Sequence, residues 1–151
     1  MKISVDDLSD NKVAQLLNKH FQKMYEYSSP ESIHALDEEK LKDPKVTFWS
    51  AYIDAELAGC GALKELSPMS GEIKSMKTDD NFLRRGVAAK LLDTIIQAAR
   101  ARGYESLSLE TGSHEAFKPA IKLYMKYGFV ECGPFADYTL DPYSKFYTIR
   151  L

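Results

Sequence analysis

The 151-residue sequence has little cysteine, no long apolar run and almost no net charge, and each absence excludes a class of protein. Two cysteines, Cys60 and Cys132, are too few for the disulfide framework of a small secreted domain. No stretch approaches the roughly 20 apolar residues of a transmembrane helix, and Met1–Asp10 contains no run of signal-peptide length. A formal net charge of −2 argues against a general nucleic-acid or anionic-membrane binder. We therefore expect a cytoplasmic protein with neither nucleic acid nor membrane as its partner.

Common metal and nucleotide motifs are also missing. The three histidines, His20, His34 and His114, are too dispersed for metal-ligand spacing, so no metal is predicted. The sequence has neither the Gly-Lys-Ser/Thr of a P-loop nor the G-x-G-x-x-G of a dinucleotide site. It also lacks internal repeats and low-complexity linkers, so we expect residues 1–151 to form a single domain.

Hydrophobic periodicity predicts alternating strands and helices in the order βααβββαβαββ. The predicted strands are Lys2–Val5, 46–54, 56–66, 71–78, 104–111, 129–133 and 145–151. The predicted helices are 10–27, a second one from Pro30 through Leu41, a third between Arg85 and Gly103, and 116–128. We expect strand 71–78 to alternate strictly, with Ile73, Ser75 and Lys77 on one side and Glu72, Lys74 and Met76 on the other. This order predicts an α/β arrangement with a parallel strand pair across the third helix.

Residues 81–92, NFLRRGVAAKLL, place two arginines and a glycine at the start of the third helix. Cations are unfavourable there, because the helix macrodipole already puts positive charge at that end. An anion would compensate, and the first N–H groups of a helix are a ready anion site. Gly86 allows a phosphate to approach the backbone closely, and Arg84 and Arg85 can add charge-assisted hydrogen bonds. The segment therefore predicts a pyrophosphate site.

Three segments, LRRGVA, the preceding IKSMKT and the later AIKLYMKYGF, together resemble the GNAT superfamily of acyl-CoA-dependent N-acetyltransferases. The family signature reads Arg/Gln-x-x-Gly-x-Gly/Ala; Gly86 and Ala88 match its last two fixed positions, and Leu83 occupies the first. The phrases GCGALKEL, GEIKSMKT, LETG and CGPF also resemble a bacterial subgroup of YsnE-like acetyltransferases. The resemblance implies an α/β (α+β) fold with a mixed, mostly antiparallel central sheet, a splayed parallel strand pair and helices on both faces.

The resemblance also implies an activity. It is that of a cytoplasmic transferase that moves an acetyl group from acetyl-CoA to an amine acceptor, either a small molecule or a peptide. The amine would attack the thioester directly, with a general base, a tyrosine general acid and no metal. A homodimer is implied by the resemblance alone. The alternative is a non-catalytic acyl-CoA-binding sensor or interaction module that uses the same phosphate site.

The family's functional positions can be matched to residues of this chain. The strand that pairs with the pantetheine arm of coenzyme A corresponds to Met76, Lys77 and Thr78. The pyrophosphate cradle corresponds to Arg84, Arg85, Gly86, Val87, Ala88 and Ala89. Tyr124 matches the tyrosine that protonates the departing thiolate, a role that a phenol within hydrogen-bond reach can fill. Phe117 stands where the family usually has an asparagine.

The general base is left open between two carboxylates and a water relay. Glu72 matches the strand glutamate that serves as base in the histone-acetylating branch of the family, and Glu110 ends the next strand. Burial would raise the pKa of either carboxyl toward a working value. The structural alternative for each is a salt bridge, for instance with Lys74 or Lys77. We expect the acceptor to sit over the sheet, between the N-terminal helices and residues 134–144, which contain Phe135, Tyr138, Tyr143, Asp137 and Asp141.

Overall fold

The computed structural model describes residues 1–27 and 42–151. The strands are β1 (Lys2–Val5), β2 (Val46–Ile53), β3 (Glu56–Ser67), β4 (Ser70–Thr78), β5 (Ser106–Gly112), β6 (Val130–Cys132) and β7 (Ser144–Arg150). The described helices are α1 (Lys12–Tyr27), α2 (Val87–Ala101) and α3 (Lys118–Lys126). Short 3-10 turns, Asp80–Phe82 and Glu115–Phe117, precede α2 and α3. The helix predicted from Pro30 through Leu41 lies outside the described residues.

The strands form one seven-stranded sheet in the order β1-β2-β3-β4-β5-β7-β6. The pairing is antiparallel except between β4 and β5, which are parallel and connected through α2. The predicted mixed, mostly antiparallel sheet with one parallel pair is therefore confirmed. Asp54 and Ala55, between β2 and β3, both have positive φ, as a tight two-residue hairpin turn requires.

Successive residues of β3 face opposite sides of the sheet, and each side is covered by a helix. Ala62 belongs to the smaller core cluster, which also contains Val13, Leu16 and Leu17 of α1 together with Phe48 and Cys60. Leu63 belongs to the larger cluster, which contains Ile73 together with Leu91, Leu92 and Ile95 of α2. The predicted helices on both faces are confirmed. A single-domain organisation remains a prediction.

The start of α2 is held close to the sheet by glycine in β3. A Cβ atom added at Gly59 would lie 2.7 Å from Cγ1 of Val87, the first residue of α2. The apolar stripe predicted for this helix is buried, and the helix ends just before Gly103, whose φ of +80° suits its closing turn. The fold thus fixes the N-terminus of α2 beside the end of β4.

The strict alternation predicted for β4 is wrong. Ser75 has a φ of 56°, and the pairing register between β3 and β4 shifts at this point, which marks a β-bulge. As a result Ile73 and Met76, three residues apart, pack against the same core cluster. The bulged backbone is held by the thiol of Cys60, which donates a hydrogen bond to the Ser75 carbonyl at 3.5 Å.

Just before the bulge, β4 and β5 separate. Their parallel pairing runs from Ser70↔Ser106 to Ile73↔Leu109 and stops there, although β4 continues to Thr78 and β5 to Gly112. The backbone of residues 74–78 is therefore not paired with β5 by the sheet ladder. The separated strand ends open a cleft between them, and α2 and α3 stand at its walls.

Candidate active site

A cavity of about 690 Å³ occupies the space where β4 and β5 separate. Its walls include all three predicted catalytic residues, Glu72, Glu110 and Tyr124. They also include every predicted cofactor-binding residue except Arg85. The structure therefore brings together residues that lie more than fifty positions apart in the sequence. Of the two adjacent arginines, it places Arg84 in the cavity wall and Arg85 outside it.

The segment before α2 takes a left-handed turn into the helix. Asp79 accepts a hydrogen bond from the Asn81 N–H at 2.9 Å, which stabilises the 3-10 turn. Arg84 and Gly86 then have positive φ values of 61° and 81°. The first intrahelical bond of this turn is the one from the Lys90 N–H to the Gly86 carbonyl, so the preceding N–H groups are without an intrahelical acceptor.

The three side chains around this turn lie in different places. Arg84 lines the cavity, whereas the guanidinium carbon of Arg85 lies 5.4 Å from the centre of the Phe82 ring. Leu83 lines the cavity too and is 53% exposed, so the residue that replaces the family's first motif position is an apolar group at the rim. A Cβ at Gly86 would meet no atom within 4 Å, so the space in front of this backbone is open. The turn combines open space, one lining arginine and free N–H groups, which suits a phosphate.

The β4 wall of the cavity contains Met76, Lys77 and Thr78. Because the ladder to β5 has already ended, backbone polar groups on this edge are available to an extended ligand. The Lys77 ammonium is 3.5 Å from the Asp80 carboxylate, which ties the end of β4 to the turn before α2.

The opposite wall is formed by α3 and the turn before it. Tyr124 lines the cavity, is 7% exposed, and packs edge-on against Phe129 at 5.9 Å between ring centres. Burial raises the pKa of Tyr124 above its ordinary value of 10, so the phenol keeps its proton at neutral pH. The Tyr127 hydroxyl donates to the Ala89 carbonyl at 3.2 Å and connects α3 with the first turn of α2.

Phe117 and His114 precede α3. Phe117 lines the cavity, and its ring lies so close to Gly112 that a Cβ there would overlap it. His114 is exposed and caps the 3-10 turn, its Nδ1 accepting from the Ala116 N–H at 3.0 Å. Phe117 is therefore part of the cavity wall, whereas His114 serves the turn.

A buried polar cluster lies beside the point where the strands separate. Glu72, only 3% exposed, accepts a hydrogen bond from the Tyr138 hydroxyl at 2.6 Å and lies 3.1 Å from the Lys74 ammonium. Lys74 also donates to the Tyr138 hydroxyl at 2.8 Å. Burial and the adjacent Glu72 raise the pKa of Tyr138 above its ordinary range. The salt bridge that the sequence left as the structural alternative for Glu72 is thus present.

Glu110 lies on the same face of the sheet, two residues beyond the position that pairs with Glu72. Burial raises its pKa to about 7, against the lowering effects of the Ser144 hydroxyl and the Lys74 ammonium. The charges of Glu72 and Asp141 raise it further. A carboxyl group with this pKa exchanges a proton readily near neutral pH.

Several other features of the described residues bear on the chemistry expected from the sequence. Within 1–27 and 42–151, no group of three His, Cys, Asp or Glu side chains could hold a metal ion. Burial raises the pKa of the Cys60 and Cys132 thiols, which works against a thiolate nucleophile. Among the described residues no helix is long and apolar enough to cross a membrane. Of residues 134–144, which are expected to contact the acceptor, Tyr138 is the one in the cavity wall.

Sequence reasoning missed the connection between Tyr138 and Glu72. The two residues are 66 positions apart, and neither a local spacing nor a motif links them. The one available signal was a tyrosine within an aromatic loop that follows the last predicted helix. That signal indicates a buried ring but does not identify its hydrogen-bond partner.

Comparisons with known proteins agree with this geometry. The sequence model of the Acetyltransferase (GNAT) family matches residues 12–129. YsnE of Bacillus subtilis (strain 168), an uncharacterized N-acetyltransferase, is 56% identical over 151 residues, which is 100% of both chains. An acyl-CoA N-acyltransferase structure from Klebsiella pneumoniae aligns with a TM-score of 0.79 and 26% identity, covering 99% of this chain and 97% of that one.

A second structure shows the fold at lower identity. It is a GNAT family acetyltransferase from Elizabethkingia anophelis with acetyl-CoA bound, with a TM-score of 0.72 and 19% identity, covering 99% of this chain and 97% of that chain. Fold, cleft and relatives together define the class of an N-acyltransferase. The chain belongs to the acetyltransferase (GNAT) family, as the resemblance predicted, and the YsnE-like subgroup is confirmed by the high identity.

Proposed function

We propose that this protein transfers an acetyl group from acetyl-CoA to an amine acceptor, which attacks the thioester directly. The observation that carries the proposal is a single cavity whose wall contains a helix N-terminus, a buried tyrosine and a carboxyl group with a pKa of about 7. The family name and the acetyl-CoA bound in the Elizabethkingia anophelis protein support the choice of donor. The names of the relatives, which are N-acetyltransferases, support an amine as the acceptor.

Cofactor binding is assigned to the two segments at the end of β4. The N–H groups of Val87, Ala88 and Ala89, with the Arg84 guanidinium, would hold the pyrophosphate in front of Gly86. The free backbone edge of residues 76–78 would hold the pantetheine arm. When bound, acetyl-CoA supplies an activated acyl thioester. With these contacts Tyr124 and the buried carboxylates would lie near the reacting thioester, since they line the same cavity.

Proton transfer is assigned to Glu110 and Tyr124. An acceptor amine is mostly protonated at neutral pH, so a base must remove a proton before it can attack. Glu110 can accept that proton directly or through a water molecule, because its pKa lies near 7. Tyr124 can donate to the thiolate that leaves. A backbone N–H near Met76 would stabilise the oxyanion that forms in between.

We assign the base to Glu110 in preference to Glu72. The Oε2 atom of Glu72 already accepts from the Tyr138 hydroxyl and lies within ion-pair distance of the Lys74 ammonium. Taking a proton there would weaken two existing charge-assisted contacts. Glu72 and a water relay remain the alternatives that mutagenesis must exclude.

The test is calorimetric titration with acetyl-CoA followed by a thiol-release assay over a panel of primary amines. We expect acetyl-CoA to bind and to be displaced by CoA, but not by ATP or NAD. At least one amine should then release free CoA thiol. Binding without release for any amine would favour the non-catalytic acyl-CoA sensor. Absence of binding would remove acetyl-CoA as the donor, since Leu83 would then mark a lost phosphate site.

Cellular location and assembly are proposed from the family resemblance. We propose a cytoplasmic enzyme that forms a homodimer, as the family resemblance implies. Sedimentation velocity over a range of protein concentrations tests the dimer, and a single species with the mass of 17.1 kDa would contradict it.

A further inference from the structure

The segment between β6 and β7 reaches the active-site cavity through one side chain. Tyr138 lines the cavity, and its hydroxyl is bonded to Glu72 at 2.6 Å and to Lys74 at 2.8 Å. The Lys74 ammonium also lies 5.5 Å from the centre of the Tyr138 ring. We call these three residues the Tyr138 cluster. It connects a loop to β4 at the point where β4 leaves β5.

The Tyr138 cluster contains a buried ion pair, so losing its hydrogen bonds would be energetically unfavourable. The side chains of Lys74 and Glu72 are only 8% and 3% exposed. A buried ion pair needs further hydrogen bonds to be tolerated, and Tyr138 supplies one to each partner. If the tyrosine withdrew, both charges would lose a contact inside the protein.

Aromatic packing holds the Tyr138 ring on its other side. Its centre is 5.1 Å from that of Phe135 and 5.5 Å from that of Phe146 on β7. Phe135 in turn packs edge-on against Phe146 at 5.9 Å. The ring is thus fixed between a strand of the sheet and its own loop, with one surface in the cavity wall.

We propose that Tyr138 is a specificity-determining residue: its ring closes the acceptor end of the cavity, and the Glu72–Lys74 pair holds it there. The proposal rests on the proposed function, because it assigns the acceptor to the end of the cavity opposite Arg84. It gives Glu72 a positioning role in place of a proton-transfer role. It also limits the acceptor to amines whose attached group fits beneath the tyrosine ring.

The positioning part is tested by hydrogen exchange of residues 133–143, which requires no acceptor. The loop contains amides that exchange can report, such as the Tyr138 N–H bonded to the Phe135 carbonyl at 3.0 Å. Tyr138→Phe removes both hydroxyl contacts and keeps the ring, so we expect exchange in this loop to become about tenfold faster. Tyr52→Phe, which removes a hydroxyl on β2, is the matched control and should leave the loop unchanged. Equal exchange in Tyr138→Phe and the unaltered protein would overturn the positioning role.

The specificity part is tested by amine binding to the protein saturated with CoA, which requires no turnover. Benzylamine and naphthylmethylamine have similar basicity and differ by one fused ring. We expect Tyr138→Ala to raise the affinity for naphthylmethylamine relative to benzylamine by about tenfold or more. An unchanged ratio, or no binding of either amine to either protein, would overturn the role of the ring as a wall.

A second variant and a cofactor titration distinguish a failure of the Tyr138 proposal from a failure of the proposed function. Tyr138→Leu replaces Tyr138→Ala if the alanine variant unfolds, since leucine keeps part of the packing against Phe146. Acetyl-CoA titration of each variant shows whether the cofactor end is intact. Failure of acetyl-CoA to bind even the unaltered protein counts against the proposed function, whereas normal acetyl-CoA binding with an unchanged amine ratio counts against Tyr138 alone.

Discussion

Arg84 lines the cavity between β4 and β5, while Arg85, the next residue, places its guanidinium carbon 5.4 Å from the centre of the Phe82 ring. The cause is the backbone: Arg84 has a positive φ of 61°, which turns the chain between the two side chains. A cation over an aromatic face is a stabilising contact in its own right. We therefore propose separate roles for the two arginines, with Arg84 contacting a ligand and Arg85 stabilising the turn.

This separation predicts unequal effects on coenzyme A binding. Arg84→Ala should weaken the affinity for CoA by about 10-fold or more, because a charge-assisted hydrogen bond contributes about 1.5–3 kcal/mol. Arg85→Ala should weaken it by less. Calorimetric titration measures both, and pantetheine, which lacks the pyrophosphate, serves as the control ligand whose binding neither change should alter. Equal losses in the two variants would mean that Arg85 also contacts phosphate.

Gly86→Ala is expected to affect both stability and binding. The φ of +81° at this position costs an L-residue about 1–2 kcal/mol, so the free energy of unfolding should fall by about that amount. The new methyl group would also project into the open space in front of the helix N-terminus, where the pyrophosphate is proposed to bind. Denaturant unfolding and CoA titration separate the two effects. A variant that loses stability but binds CoA normally would place the phosphates elsewhere.

Local features of the chain explain which parts of the fold the sequence predicted. The α2 helix was identified within a few residues, because its apolar stripe and the glycines at its two ends are all contained in the segment itself. The bulge at Ser75 was not predicted. It depends on pairing with β3 and on the Cys60 thiol, fifteen residues away, and neither contributes to the periodicity of β4.

The candidate site, too, has parts that are local in the sequence and parts that depend on distant residues. Gly86 and the N-terminus of α2 are neighbours in sequence, so the phosphate site could be proposed from a dozen residues. A preference between the two carboxylates could not be proposed in this way, because both line the cavity and it depends on the Tyr138 hydroxyl contacting Glu72, 66 positions away. The contact partners are far apart in the sequence, and only the folded arrangement shows that Glu72 is bonded to the Tyr138 hydroxyl and the Lys74 ammonium.

Tyr124→Phe should lower kcat without changing acetyl-CoA affinity. The ring and its packing against Phe129 are kept, and only the hydroxyl that could protonate the leaving thiolate is lost. Loss of a general acid typically costs about 100-fold or more in rate. Thiol release under saturating acetyl-CoA measures the effect, with Tyr52→Phe as the control that should keep the rate. An unchanged kcat in Tyr124→Phe would remove this residue as the acid.

Glu110→Gln should abolish one limb of the pH–rate profile. With a pKa of about 7, Glu110 is ionised and able to act as a base above that pH and is protonated below it. We therefore expect kcat/KM of the unaltered protein to rise with pH and to level off above about 7. The variant should lose about 100-fold or more in rate and lack this rise. If Glu72→Gln removed the rise and Glu110→Gln kept it, the base would be Glu72.

The same shift predicts a pH-dependent difference in stability. The pKa of Glu110 is raised from 4.5 to about 7 in the folded protein, so between these values the folded state binds more protons than the unfolded state. The free energy of unfolding due to this group therefore falls as pH rises from 4.5 to 7 and stays low above 7. Glutamine cannot ionise, so Glu110→Gln should gain stability relative to the unaltered protein over this window, and the gain should level off at higher pH. Urea unfolding of both proteins at several pH values measures the difference, in which the other titrating groups cancel. If the stability difference between the two proteins did not grow with pH, burial would not be disfavouring the ionised form of Glu110. That result would weaken the assignment of Glu110 as the base.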